Sequence, residues 1–342
     1  MINFRNVCTT MLIVPMFLRS GSTAECTKEN KGNLRIAFDI GSGNTKMQSA
    51  WIDPKNHTII KLIETKKVAI PLGETLKASK NKEIPEELIQ MIIQTIQDFK
   101  QKNAIENVAL QCLGTATEGM RSAQNGQSTL NKIANETGVP LFFLSQNEEA
   151  AQGHLTLYAE GITNKMSNSS YIVWENGNGS CQISTKDKQG KLHTFNHQMG
   201  KIFAKDCLEK AQNKNVLIKK KQINEIILQI QGQLAPTPPW LSNKLKQEDI
   251  TIIGLGAMFS SPKKGLNKKI FSKKEIADLI DLSVEQQNHN KELKVNKPTF
   301  LSDLLFLYAI MDFLGIEQLY IPKVKGQGST SGLLIDPSKW TT

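Results

Sequence analysis

Two stretches of this sequence carry residue types suited to holding phosphate. Residues 35–47 read Arg-Ile-Ala-Phe-Asp-Ile-Gly-Ser-Gly-Asn-Thr-Lys-Met. An apolar run, 34–38, predicts a buried strand. It leads to Asp39, then to Gly41 and Gly43. Glycines at that spacing allow a tight turn and leave no Cβ between backbone amides and a ligand. Successive N–H groups in such a turn form a nest for an anion. Asn44, Thr45 and Lys46 add an amide, a hydroxyl and a cation, and Asp39 offers a carboxylate to a hydrated metal ion. A plain hairpin with a glycine-rich turn is the alternative reading of this stretch alone.

Residues 171–184 repeat the pattern as Tyr-Ile-Val-Trp-Glu-Asn-Gly-Asn-Gly-Ser-Cys-Gln-Ile-Ser. Laid on the first stretch, Glu175 falls on Asp39, Gly177 on Gly41, Gly179 on Gly43, Ser180 on Asn44 and Gln182 on Lys46. Two such hairpins suggest two similar halves facing each other across a phosphate-filled cleft. A third glycine pair, Gly254 and Gly256, closes an apolar run at 250–253. Two further segments follow expected strands. One is 114–121, ending in Arg121. The other is Ser145-Gln146-Asn147-Glu148-Glu149-Ala150, a double acid where a strand would meet a helix. Acids in the first turn of a helix are also favourable on electrostatic grounds alone.

The elements that must position these groups read as follows. Residues 51–53 and 59–63 are expected strands joined by an Asp53-Pro54-Lys55-Asn56 turn. Residues 84–102 are the clearest helix, with Pro85 at its first position and Ile89, Ile92, Ile93, Ile96 and Phe99 on one face. Strands follow at 108–113 and 141–144, with helices around Asn125-Gly126 and a helix to about Ala159. In the second half, 183–185 and 192–195 form a hairpin, and 200–208, 221–234 and 300–313 are helices. Residues 236–240, rich in proline, break the chain. Residues 319–321 are a short strand and 325–331 a Gly/Ser loop.

With 342 residues, two domains are expected, at 34–152 and 153–338. A composition 39% hydrophobic and 22% charged is that of a globular protein, and mean hydropathy is −0.31. No apolar run reaches the ~20 residues of a membrane span. Net charge is +10, which calls for an anionic partner or surface. No nucleic-acid-binding motif is present, and the paired lysines at 219–221, 263–264, 268–269 and 273–274 read as solvated faces. Arg5, a mostly apolar 7–18 and Ser22-Thr23-Ala24 predict an export signal over 1–24, hence a periplasmic or secreted protein; a cytoplasmic protein with a surplus tail is the alternative. Five cysteines show no Cys-x-x-Cys pattern, and Cys112 is expected to be a buried thiol. His193 and His197 fall in an expected strand without helical metal-ligand spacing.

Taken in order, these segments resemble the Ppx/GppA family, the exopolyphosphatases and guanosine pentaphosphate phosphohydrolases. The resemblance covers nearly all of 34–334. It rests on Asp39-Ile40-Gly41-Ser42 with Lys46, on Thr115-Ala116-Thr117 through Arg121, Ala123 and Asn125-Gly126, on 145–150, and on Lys325-Gly326 through Gly332-Leu333-Leu334. It implies two actin-like, ribonuclease H-like α/β domains with a phosphate-binding cleft between them. It also implies a catalytic glutamate at Glu149, a phosphate clamp at Arg121, and phosphate contacts from Gly41, Gly43, Asn44, Lys46, Gly177, Gly179 and Ser180. Mg²⁺ would be held by Asp39 and Glu175, and the substrate would be polyphosphate or a phosphorylated guanosine nucleotide. A homodimer is left open. Three departures from the family pattern stand out: Glu175 replaces an aspartate, Gln182 replaces a glutamate, and Gly43-Asn44 stands where Asn-Ser is usual. The departures keep a second reading open, a phosphate or nucleotide binder with weak turnover. A kinase of the same superfold is a third.

Overall fold

The computed structural model describes residues 32–164, 166–167, 170–211, 218–288, 299–324 and 329–340. The expected export signal, and 325–328 of the closing segment, lie outside the described residues. Residues Gly32–Thr342 form one unit.

The first half begins with three antiparallel strands, β1 (Asn33–Ile40), β2 (Asn44–Asp53) and β3 (Thr58–Ala69). Helices α1 (Leu72–Ala78) and α2 (Glu86–Asn103) follow. Then come β4 (Leu110–Ala116), α3 (Glu118–Arg121), α4 (Gly126–Thr137), β5 (Leu141–Phe143) and α5 (Gln146–Ala159). The sheet order is β3-β2-β1-β4-β5, with β4 parallel to β1. The all-apolar centre of β1 needs cover on both faces. One face packs against α2 through Ile89, Ile92, Ile93, Ile96 and Phe99. Pro85 is the cap of α2 with extended backbone, φ −69° and ψ 152°, one residue before the position expected from sequence.

The second half repeats this start: β6 (Tyr171–Asn176), β7 (Cys181–Lys186) and β8 (Leu192–His197), then α6 (Lys201–Ala211) and α7 (Lys220–Gln231). Next are α8 (Pro239–Leu245), β9 (Thr251–Leu255), α9 (Ser260–Leu266), β10 (Ile270–Ser272), α10 (Lys273–Asn288), α11 (Phe300–Leu314), β11 (Gln318–Tyr320) and α12 (Thr330–Ile335). Its sheet runs β10-β11-β9-β6-β7-β8, with β9 parallel to β6 as β4 is to β1. The proline-rich break starts a helix: Pro239 stands in the first turn of α8, where its missing N–H costs nothing.

Helix α12 returns to the first half. Leu333, Leu334 and Ile335 are buried with Ala37, Ala50, Ile52 and Leu113 on the other face of the first sheet. Arg35 fixes the return: its guanidinium donates to the Leu334 carbonyl at 2.9 Å and lies 4.6 Å from the Trp340 ring centre. Cys112 is half-buried rather than buried, because the start of β4 lies toward the rim of the sheet; its thiol is free, with its pKa pushed up to about 11 by burial.

One buried base stands apart from the cleft. His154 on α5 is 3% exposed, with ring nitrogens 3.1 Å from Ser184 Oγ and 3.4 Å from the Tyr171 hydroxyl. Burial, with a smaller push from Lys186, lowers its pKa from 6.5 to about 3. The unfolded chain therefore binds a proton between those values that the folded chain refuses. The stability this site contributes is complete above pH 6.5 and is lost as the pH falls toward 3. Between pH 7 and pH 5 the loss is about 2 kcal/mol. Denaturant melts at the two pH values should show this loss in the wild type and a smaller one in His154→Gln, which cannot titrate.

Candidate functional site

The two glycine turns have the same internal bond. Gly41 N–H donates to the Asn44 carbonyl at 3.0 Å, and Gly177 N–H donates to the Ser180 carbonyl at 2.9 Å. Each turn also receives the N-terminal turn of the next helix: Gly73 N–H donates to the Ser42 carbonyl, and Ile202 N–H to the Asn178 carbonyl. The register repeats as well, since Asp39 pairs with Lys46 across β1 and β2, and Glu175 with Gln182 across β6 and β7. The correspondence between the two stretches thus holds in backbone geometry. Asp39 lies inside β1, one residue before its end.

The turns meet tightly. A Cβ on Gly43 would fall 1.9 Å from Asn178 Nδ2, and one on Gly179 would fall 3.1 Å from Glu118 Cγ and 3.2 Å from Ser42 Oγ. Around them lies a cleft of about 410 Å³. Asp39, Gly41, Gly43, Asn44, Lys46, Glu149, Glu175, Gly177, Gly179 and Ser180 all line it. The third glycine pair joins them. Gly256 has φ +115°, a value that favours glycine, and a Cβ there would fall 2.2 Å from the Asn176 carbonyl oxygen.

Helix α5 assigns its two acids to different tasks. Ser145 caps the helix, accepting from Glu148 N–H, while the Glu148 carboxylate accepts from Ser145 N–H at 2.9 Å and from Lys339 at 3.1 Å. Glu148 is therefore the capping acid, and Glu149, 9% exposed, turns into the cleft. Arg121 donates to Glu149 Oε1 at 2.6 Å, to Glu118 Oε2 at 2.7 Å and to the Leu144 carbonyl. Ser180 Oγ lies 3.5 Å from Glu149 Oε2. Burial raises the Glu149 pKa to about 7; Arg121 works against that rise, and Asp39 and Glu118 add to it. A carboxyl with that pKa suits proton transfer near neutral pH. Arg121 does not line the cleft, because its guanidinium is taken up by these acids and the carbonyl. The clamp expected of it requires one of those partners to be released.

The remaining acids are buried beside Lys46. Lys46 Nζ donates to Asp39 Oδ2 at 3.0 Å. Burial opposes the Lys46 charge, yet Asp39, Glu175 and Glu149 outweigh it and raise the pKa. The Glu175 pKa rises to about 8, through burial first and then repulsion from Glu149, with Lys46 opposing. Asp39 Oδ1 and Glu175 Oε2 are buried without a hydrogen-bond partner among the described residues. Two open carboxylate oxygens fit magnesium, which is usually held by one or two carboxylates together with water and substrate phosphates. Among the described residues no three His, Cys, Asp or Glu side chains cluster as a metal cage.

The cleft is also lined by Lys67, Asn176, Lys201 and Lys323, to which the sequence analysis gave no role, and by Lys263, from a pair read there as a solvated face. Lys273, Lys274 and Lys268 of the other pairs are engaged with surface acids.

The Ppx/GppA phosphatase family model matches residues 51–336. The chain belongs to the Ppx/GppA phosphatase family. The match begins after the first glycine turn, so the assignment does not lean on that motif. Among solved structures, the Ppx/GppA enzyme of Aquifex aeolicus is similar with a TM-score of 0.67 and 17% identity, over 89% of this chain and 99% of that one. An exopolyphosphatase from Cytophaga hutchinsonii is similar with a TM-score of 0.65 and 13% identity, over 88% and 96% of the two chains. At these identities the likeness is one of fold, the actin-like α/β architecture of the family. No curated protein matches the chain.

The glycine geometry has a direct test. A side chain on Gly43 must displace Asn178, whereas the nearest atom to a Cβ on Gly177 is 3.6 Å away. Gly43→Ala is expected to lose about 1 kcal/mol or more of stability by overpacking, and Gly177→Ala to stay within about 0.5 kcal/mol of wild type, read in denaturant melts.

Proposed function

We propose that this family member releases the terminal phosphate of inorganic polyphosphate or of guanosine pentaphosphate by attack of water. The observation that carries the reading is Glu149: a buried carboxylate, held by Arg121, on the wall of a cleft floored by two glycine turns. Phosphoryl transfer to water needs an in-line water, something to orient it, and neutralisation of the phosphate charge. Glu149 orients the water and accepts its proton at a carboxylate oxygen. Amides of the turns at Gly43, Asn44, Gly179 and Ser180 cradle the phosphate, with Lys46 supplying charge. Arg121 fixes the Glu149 rotamer and, on exchanging Glu118 for substrate, clamps a phosphate oxygen. Asp39 and Glu175 would hold Mg²⁺, whose chemistry when bound is to neutralise phosphate charge. The second reading, a phosphate or nucleotide binder with little turnover, is favoured by Glu175 and Gln182, where the family carries aspartate and glutamate. We also propose that residues 1–24 direct export. Export would favour polyphosphate over a nucleotide made in the cytosol.

Phosphate release from polyphosphate and from guanosine pentaphosphate, each with and without Mg²⁺, separates these readings. Binding without release favours the binder. Glu149→Gln is expected to lower the rate ~10²–10⁴-fold with little change in binding. The base form must be ionised, so the wild-type rate should climb as the pH rises through about 7, and this dependence should vanish in the variant. Glu175→Asp should keep Mg²⁺-dependent turnover, Glu175→Gln should abolish it, and Gln182→Glu should do no harm.

Two further outcomes are expected. Affinity for long polyphosphate should fall steeply with added salt, by screening and counterion release; a salt-independent affinity would assign the lysines to solvated surface. N-terminal sequencing of protein from the native host should begin at Glu25.

A further inference from the structure

We propose that Gly153 is a positioning residue that seats the carboxylate of Glu175. Gly153 lies four residues beyond Glu149 on α5, so both face the same side of the helix. It is buried in the helix interior, where glycine is a poorer helix former than alanine. A Cβ there would fall 2.8 Å from Glu175 Oε2, while Val173 Cγ1, its next neighbour, is at an ordinary 3.6 Å. Among the described residues, the group that a side chain at this point would displace is therefore the Glu175 carboxylate.

The match is one of length. Glutamate carries its carboxylate one methylene further than aspartate, about 1.5 Å. An aspartate at 175 would stop short of the Gly153 side of the cleft and leave room for a methyl group on α5. With glutamate at 175, the same methyl group must push the carboxylate away. That movement displaces the oxygen whose open valence suits a cation, next to Glu149, whose charge acts directly on Glu175. The chain thus compensates for a long acid on β6 with an absent side chain on α5. The seating stands on packing alone; its consequence for turnover rests on the phosphohydrolase reading above.

The test is a double-mutant cycle of wild type, Gly153→Ala, Glu175→Asp and the double variant. With Mg²⁺ and polyphosphate, Gly153→Ala in the wild-type background should lower kcat about tenfold or more and leave KM nearly unchanged. In the Glu175→Asp background it should change kcat by no more than about twofold. Thermal melts in chelator, without metal or substrate, give the second readout. There Gly153→Ala should raise the melting temperature more in the Glu175→Asp background than in wild type. Equal effects of Gly153→Ala in the two backgrounds, in rate and in melting, would overturn the seating. A wild type that releases no phosphate would count against the phosphohydrolase reading, and the melts would still decide the pairing.

Discussion

The cleft depends on one steric constraint: two phosphate-type turns meet so closely that a side chain of one stands against a glycine of the other. Gly43 and Asn178, and Gly179 with Ser42 and Glu118, define that approach. Each turn is closed by the same backbone bond and backed by the first turn of a helix, so each half presents its amides from a rigid strand-turn-helix frame. Ion pairs then link the two helices behind the turns, Lys77 with Asp206 and Lys205 with Glu74. Exposed pairs of this kind contribute little stability individually. They tie α1 to α6, the helices that back the two turns.

Bringing the halves together concentrates acid. Asp39, Glu149 and Glu175 share a low-dielectric space with Lys46, and the pKa values of both glutamates rise in consequence. Arg121 opposes that rise at Glu149 from outside the cleft, through a contact that also binds Glu118. An arrangement that resists ionisation of its own acids is one that gains from a cation or a positively polarised ligand. Attraction to these same acids keeps Lys46 charged despite its burial.

Much of this was legible in the sequence because it was local. The strand-Gly-x-Gly repeats, the apolar face of α2 and the junction at Ser145 are patterns within about a dozen residues, and all three recur in the structure. Most of what escaped was either non-local or unmarked by type. The Ser145-x-x-Glu148 spacing of a capping box, unused in the sequence analysis, separates Glu148 from Glu149, and the capping bonds realise it. Arg121 reads as a phosphate ligand until Glu118 and Glu149 are seen to hold it. Helices α1, α8, α9, α10 and α12 were not anticipated. The first, second, third and last are seven or fewer residues long, too short for a periodic signal. Helix α10 is longer but mixes its apolar and charged residues less regularly than α2. Lys201 and Lys323 reach the cleft from segments with no motif at all.

The return of α12 has a consequence for synthesis. Ala37, Ala50 and Ile52 on the first sheet are covered by Leu333, Leu334 and Ile335, and Arg35 finds its acceptor at Leu334. Almost the whole polypeptide separates these partners. During translation the first sheet therefore emerges with one apolar face bare and an arginine lacking its carbonyl, and both wait for the residues of α12. Such a chain cannot complete its first half in isolation, however local the signals that shape it. The first sheet gains its second cover only when α12 docks, a contact of high sequence separation that closes late because its loop-closure entropy must be met first.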